Sequence, residues 1–100
     1  MASILRFCPE DTIQRREDLH IRPVPELELC MVYRPRPARI VNLNLSCWML
    51  LELCDGRSHR EIERAYGERC RSNGNEPGFN AVDMGLRSLV EHQLIRVAAQ

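Results

Sequence analysis

The sequence predicts an α+β fold, in which a small antiparallel sheet is followed by three helices. Three observations predict it. Between residues 21 and 44, apolar and β-branched residues alternate with polar ones, as is typical of strands. Between residues 44 and 91, apolar residues recur at helical spacing in three segments. Helix-capping residues at Ser58 and Asn80 begin the second and third of these segments.

Length and charge narrow the class of function. The chain has 100 residues, the size of one domain, and 14 arginines without any lysine balance 14 acidic residues. Nucleic-acid-binding domains and membrane-surface proteins usually carry a basic excess, so this neutrality argues against both partners. No window approaches the ~18 apolar residues of a membrane span, and the first ten residues lack a signal-peptide pattern. We therefore expect a cytoplasmic binding module.

Catalytic and metal-binding patterns are not recognised. Glu52 and Asp55 lie close together but have no neighbouring histidine or nucleophile, and the loop at residues 74–78 lacks the residues of a phosphate loop. We expect no enzyme, no catalytic residue and no cofactor. The cysteines are widely spaced, which predicts buried, reduced thiols and no metal site; they are Cys8, Cys30, Cys47, Cys54 and Cys70.

Residues 1–20 are expected to form an N-terminal arm that is loose or lightly docked. The segment is rich in charge, and Ile13 alone offers only a thin apolar face. Pro9 could begin a short helix, because its missing N–H has no partner to lose in the first turn. The remaining domain then covers residues 21–97.

The strands of that domain follow from alternation. Pro23 and Pro25 confine residues 21–24 to an extended or edge strand. The next run is expected to place four apolar residues on one face, opposite Glu26, Glu28 and Arg34; they are Leu27, Leu29, Met31 and Tyr33. A turn at residues 34–37 precedes a second run, Ala38 to Leu43, with Val41 and Leu43 on one face and Ile40 and Asn42 on the other.

The helices follow from caps and apolar spacing. Asn44 or Ser46 caps the first helix, and Asp55-Gly56 ends it. Ser58 and Glu61 form a capping box for the second, so His59, next to the cap, is expected at the surface. The third helix is capped by Asn80, and its expected core residues are Val82, Leu86, Leu89 and Val90. Residues 94–97 are expected to form a short extended segment after the third helix. This order fits a winged helix-turn-helix-like fold, with a three-stranded antiparallel sheet followed by three helices.

Several motifs occur in the same order as in a known family. A strand ends in Val41-Asn42-Leu43-Asn44, a helix ends in Leu-Glu-Leu-Cys-Asp-Gly at residues 51–56, and a capped helix contains Glu61-Ile62. Together these resemble the pyrroloquinoline quinone biosynthesis protein D family over residues 21–97. Arg22-Pro23 is also similar to the opening of that family. The hairpin is shorter than in the cofactor pathway's own member, which favours a relative that serves another peptide system.

The resemblance implies a function as a RiPP recognition element, a peptide chaperone. Such a module binds the leader segment of a ribosomally synthesised precursor peptide and presents it to a peptide-modifying enzyme. The implied groove lies between the third strand and the third helix. The strand residues expected there are Arg39, Ile40, Val41, Asn42 and Leu43, and the helix residues are Met84, Arg87, Ser88 and Glu91. Alternatively, the strand side chains belong outside any groove and the helix residues form an ordinary solvated face.

Two other functions remain open. A winged-helix DNA-binding regulator would need a basic recognition helix, but the charges between residues 77 and 97 sum to zero. A structural partner subunit could form a homodimer through an open sheet edge. The arginines around the hairpin turn would either attract an acidic peptide or simply keep the edge from aggregating; they are Arg34, Arg36 and Arg39. Trp48 is expected in the core or at a contact with a second subunit.

Overall fold

The computed structural model describes residues 7–78 and 80–98, which form an α+β fold. It contains two small antiparallel sheets of three strands each and three α-helices. The expected fold class and the three helices are confirmed, whereas the second sheet was not predicted. The elements are β1 (Thr12–Arg15), β2 (His20–Val24), a 3₁₀ turn (Pro25–Leu27), β3 (Leu29–Pro35), β4 (Ala38–Asn44), α1 (Leu45–Leu53), β5 (Asp55–Ser58), α2 (His59–Ser72), α3 (Ala81–Glu91) and β6 (Ile95–Ala98).

The first sheet is a meander in which β3 lies between β2 and β4. The 3₁₀ turn leads from β2 into β3, so that Val24 pairs with Leu29. A tight turn at Arg36 and Pro37 connects β3 to β4, and Pro35 pairs with Ala38 across it. Consecutive strands therefore pair as neighbours, and β4 is an outer strand of this sheet.

The second sheet includes part of the N-terminal arm, residues 1–20, which was expected to be loose or lightly docked. β1 is its central strand, between β5 and β6, and Ile13 is 0% exposed. The main chain at the end of β1 is also held, because the N–H groups of Arg15 and Arg16 donate to the carbonyls of Cys54 and Leu94 at 2.8 and 3.0 Å. A strand with partners on both sides needs few apolar side chains of its own. Pro9 lies in a turn rather than a helix, and residues 1–6 of the predicted arm lie outside the described residues.

The alternation of β3 was interpreted correctly, but the face that it buries is the opposite one. Leu29 and Met31 are only half-buried and Tyr33 is exposed. The buried face of the sheet consists of Cys30, Val32 and Arg34 from β3 with Val41 and Leu43 from β4. Register explains the choice, since Val32 pairs with Val41 and Cys30 with Leu43. The buried pair on β4 therefore determines which face of β3 enters the core.

Arg34 is a buried structural residue. It is 4% exposed, its Nε donates to the Pro37 carbonyl at 3.0 Å, and its Nη1 donates to the His92 carbonyl at 2.6 Å. Charged groups are rarely buried unless they are hydrogen-bonded in this way. Arg34 thus connects β3 to the residue that ends α3, and it is not available to attract a peptide as the sequence suggested.

The capping signals are confirmed for two of the three helices. The Asn44 side chain accepts from the Cys47 N–H at 2.8 Å. Ser58 and Glu61 form the full capping box, with distances of 2.9 and 3.2 Å for its two hydrogen bonds. Asn80 precedes α3 but has φ of 58° and makes no side-chain capping bond, in contrast to its predicted role. Asp55-Gly56 lies in β5 rather than in a simple turn.

The helices pack on one another through a close approach at Gly85. Val82, Leu86 and Leu89 of α3 are buried as predicted, and Val90 is half-buried against the same core. An ideal Cβ built on Gly85 would overlap the Cδ1 atom of Leu50 in α1. Only glycine therefore fits at this crossing without movement. Within the described residues, no helix has both the length and the apolar character that crossing a membrane requires.

Candidate functional site

The strand residues predicted to bind a peptide divide into two groups. Arg39, Ile40 and Asn42 are exposed, and Ile40 is 58% exposed although it is a large apolar residue. Val41 and Leu43 are buried in the core. The side chains of these two residues thus support the sheet, and any contact that they make with a peptide goes through the main chain.

Ile40 belongs to a row of exposed side chains that crosses the first sheet. It pairs with Tyr33, which pairs in turn with His20. The rings of His20 and Tyr33 lie 5.8 Å apart at 47°, and Tyr33 is itself exposed. We name His20, Tyr33 and Ile40 the outer row. The outer row was not predicted, although the alternation that ends at Tyr33 was its signal, because alternation alone does not show which face of a strand is exposed.

The helix residues predicted to bind a peptide share one face of α3. Met84, Arg87, Ser88 and Glu91 recur at the spacing of one helix face, and their neighbours Leu86 and Leu89 point into the core. Met84 is 64% exposed, Arg87 and Glu91 are exposed, and Ser88 is half-buried. This face has one basic and one acidic residue beside an exposed apolar one.

The strand set and the helix set are related through α1. This helix packs against α3 on one side and against β3 and β4 on the other. The hydrogen bond from Arg34 to the His92 carbonyl further ties the end of α3 to the first sheet. A shallow cavity of about 540 Å³ lies between the first turns of α1, the end of α2 and the loop that follows it, and its lining includes Met49, Tyr66 and Pro77.

The hairpin turn and the opposite sheet edge carry further exposed groups. Arg36 and Arg39 are exposed at the turn, and Arg16 donates to the Arg36 carbonyl at 3.2 Å. Beside β2, a second groove of about 390 Å³ is lined in part by Ile21 and Trp48. Trp48 is half-buried and packs against the core. It therefore serves the core with one side and faces this groove with the other.

The cysteines are all free thiols, and most are sheltered. Cys30 and Cys54 are buried, Cys47 and Cys70 are half-buried, and Cys8 is exposed, contrary to expectation. Burial raises the pKa of the Cys54 thiol to about 12. A thiol with such a pKa stays protonated at neutral pH, so Cys54 is not an activated nucleophile.

β4 offers the main-chain hydrogen-bonding groups of an outer strand together with the exposed side chains of Arg39 and Ile40, and α1 contacts both this strand and α3. Such a combination suits the binding of an extended peptide segment. Comparison of the chain with protein-family models, curated proteins and solved structures finds no match. What the surface binds is therefore inferred from its own residues.

Proposed function

We propose that this protein is a peptide chaperone that binds the leader segment of a ribosomally synthesised precursor peptide and presents it to a modifying enzyme. The observation that carries the proposal is the position of β4 as an outer strand of the first sheet. An outer strand has N–H and C=O groups that its own sheet does not pair. The β2–β3–β4 meander followed by three helices also supports a winged helix-turn-helix-like assignment.

Strand addition explains how one edge would supply both affinity and selectivity. The seven residues of β4 offer main-chain hydrogen bonds to any extended segment. Side chains of the added strand would alternate between the two faces of the sheet. On one face they would lie beside Ile40 and extend the outer row, which favours a large apolar residue. On the other they would lie beside Val41 and Leu43, on the side of the sheet that α1 covers.

Charge adds a second preference. Arg36 and Arg39 are exposed at the turn that begins β4. Guanidinium groups bind carboxylates with two parallel hydrogen bonds, so an acidic residue at the corresponding end of the leader would be favoured. The proposed ligand is therefore an extended peptide with an apolar residue opposite Ile40 and an acidic residue near the turn.

Binding rather than catalysis, and peptide rather than DNA, is the role that these features favour. The exposed face of α3 has one basic residue, Arg87, and one acidic residue, Glu91, whereas a recognition helix for phosphate backbones would need a basic excess. Five free thiols suit a reducing compartment, in keeping with a cytoplasmic location. A modifying enzyme would then receive the peptide from this module.

The test is an NMR titration of the ¹⁵N-labelled chain with a synthetic peptide of the leader region from the precursor encoded beside this gene. We expect amide shifts concentrated in residues 38–44 and on the face of α3 that contains Met84. Ile40→Thr should weaken binding about tenfold, because part of the apolar area buried against the peptide is lost. Ile21→Thr is the matched control on the opposite edge of the same sheet, and it should leave the affinity unchanged.

Three results would contradict the proposal. The first is the absence of shifts in β4, and the second is an equal loss of affinity in both isoleucine variants. The third is salt-sensitive binding to random DNA in place of peptide binding, which would favour the regulator. Sedimentation over a range of concentrations distinguishes a homodimer, since two copies paired through β4 would compete with the peptide.

A further inference from the structure

A histidine and two carboxylates meet where α2 and α3 begin. His59 is the first residue of α2, Glu63 lies one turn later, and Asp83 is in the first turn of α3. The sequence predicted His59 at the surface, but its side chain is only 6% exposed. Phe7 stacks on the imidazole with ring centroids 5.5 Å apart at 9°. The ring is therefore held in place, with its two nitrogens facing different carboxylates.

The two nitrogens have different surroundings. Nε2 lies 2.6 Å from Asp83 Oδ1, which is a short hydrogen bond. Nδ1 lies 3.3 Å from Glu63 Oε1 without hydrogen-bond geometry, and it is buried with no partner. When Nε2 donates its proton to Asp83, the neutral ring presents an electron pair at Nδ1. Two electron-pair donors, Nδ1 and the Glu63 carboxylate, then face each other.

The separation of these two donors suits a cation between them. Zinc binds histidine nitrogen and carboxylate oxygen at about 2.0–2.2 Å with tetrahedral angles, which places neighbouring ligand atoms about 3.3 Å apart. The gap between Nδ1 and Oε1 is 3.3 Å. The Nε2 side does not fit in this way, because 2.6 Å to Asp83 is too short for two ligands of one ion. A cation is therefore expected on the Nδ1 side.

We propose that His59 Nδ1 and Glu63 Oε1 form a binding site for a divalent transition-metal ion of the zinc or nickel class. Asp83 is a positioning residue: it accepts a hydrogen bond from Nε2–H, which fixes the ring and its tautomer and leaves the Nδ1 electron pair for the ion. A mixed nitrogen and oxygen pair selects such ions over calcium and magnesium, which prefer oxygen ligands. The Glu63 side chain is 55% exposed and lines a cavity of about 330 Å³, so water can reach its carboxylate to complete the coordination.

The experiment titrates the full chain with Ni²⁺ alone, with its thiols kept reduced, and follows paramagnetic broadening in the ¹⁵N spectrum. Broadening should centre on residues 59–63 and 81–84. Glu63→Gln removes one ligand and should weaken binding at least tenfold; its side chain is mostly exposed, so the fold is retained. Glu68→Gln, at an exposed glutamate on the same helix, is the control and should not change the affinity. Asp83→Asn should weaken binding by about 10- to 100-fold.

A cysteine thiol is the most direct alternative binding site for Ni²⁺, because Cys8 is exposed and follows Phe7 in the chain. A Cys8→Ser variant separates the two. Broadening that survives in Cys8→Ser and is lost in Glu63→Gln supports the site. Broadening that is lost in Cys8→Ser and survives in Glu63→Gln assigns the metal to the thiol and overturns the proposal. Broadening centred elsewhere, or none at millimolar Ni²⁺, overturns it as well.

Discussion

Replacing Gly85 by alanine tests the close approach of α1 and α3. The added methyl group would overlap Leu50 Cδ1, and Leu50 is fully buried, so neither group can move into solvent. Gly67→Ala is a matched control in the middle of α2. The nearest atoms to its Cβ belong to the guanidinium of Arg71, at 3.2 and 3.3 Å, and this exposed side chain can swing away.

The two substitutions share one free-energy term and differ in another. Alanine favours a helix interior over glycine by about 1 kcal/mol in both positions. Overpacking a buried contact costs about 1–3 kcal/mol, and this applies only at Gly85. We therefore expect Gly67→Ala to stabilise the protein by up to about 1 kcal/mol. Gly85→Ala should be less stable than Gly67→Ala by about 1–3 kcal/mol, since the helix term cancels between them.

Urea denaturation followed by circular dichroism measures both free energies of unfolding. For a domain of this size, each kcal/mol also corresponds to about 4–8 °C in Tm. The reasoning is refuted if Gly85→Ala is as stable as Gly67→Ala. Because Met84 and Arg87 flank Gly85 on α3, displacement of the helix should also shift their amide signals, whereas the control should leave those signals in place.

Four further predictions concern buried groups and the capping box. Arg34→Met leaves the Pro37 and His92 carbonyls without their donor and should cost about 2–4 kcal/mol in urea denaturation; Arg39→Met, at its exposed cross-strand partner, should stay within about 0.5 kcal/mol. When the protein is treated with a thiol reagent at pH 8 and labelling is followed by mass spectrometry, the exposed Cys8 should be labelled first and Cys54 last. A pKa of about 12 leaves only about one Cys54 thiol in ten thousand ionised at that pH. Ser58→Ala should lower the free energy of unfolding by about 1 kcal/mol. Urea denaturation of the variant and of the unchanged protein measures the difference. The hydrogen bond from the Ser58 N–H also lowers the pKa of Glu61, so the ionised Glu61 side chain stabilises the fold above the usual glutamate pKa, and this contribution is lost as the pH falls. When the free energy of unfolding is measured over an acid titration, Glu61→Gln should lack this pH-dependent loss of stability. The control Glu68→Gln, at an exposed glutamate on the same helix, should retain it.

Capping residues and the spacing of apolar residues predicted those elements whose structure depends on residues close together in the sequence. The Ser58 box and the spacing of Val82, Leu86 and Leu89 describe one helix end and one helix face, and both were confirmed. β4 was predicted from its β-branched run, including the division of its side chains into one face with Val41 and Leu43 and another with Ile40 and Asn42. In these cases the deciding interactions lie within a few residues of one another.

The features that were missed depend on distant partners. β1 and β5 are short and polar, and they are strands because β1 fits between β5 and β6. β3 carries apolar residues on both faces, so only its pairing with Val41 and Leu43 decides which face is buried. His59 is covered by Phe7 and Asp83, which lie 52 residues before it and 24 residues after it in the chain. The spacing of apolar residues along the sequence cannot identify such contacts.

The place of β1 at the centre of the second sheet has a consequence for how the chain folds. Thr12 pairs with Ala98, so β1 waits for β6, which follows it in the chain after the first sheet and all three helices. The meander and α1 are local and can form while translation continues, but the second sheet closes only after β6 has emerged. Until then, the Ile13 strand has an unpaired edge, which makes the nascent chain vulnerable to aggregation at that segment.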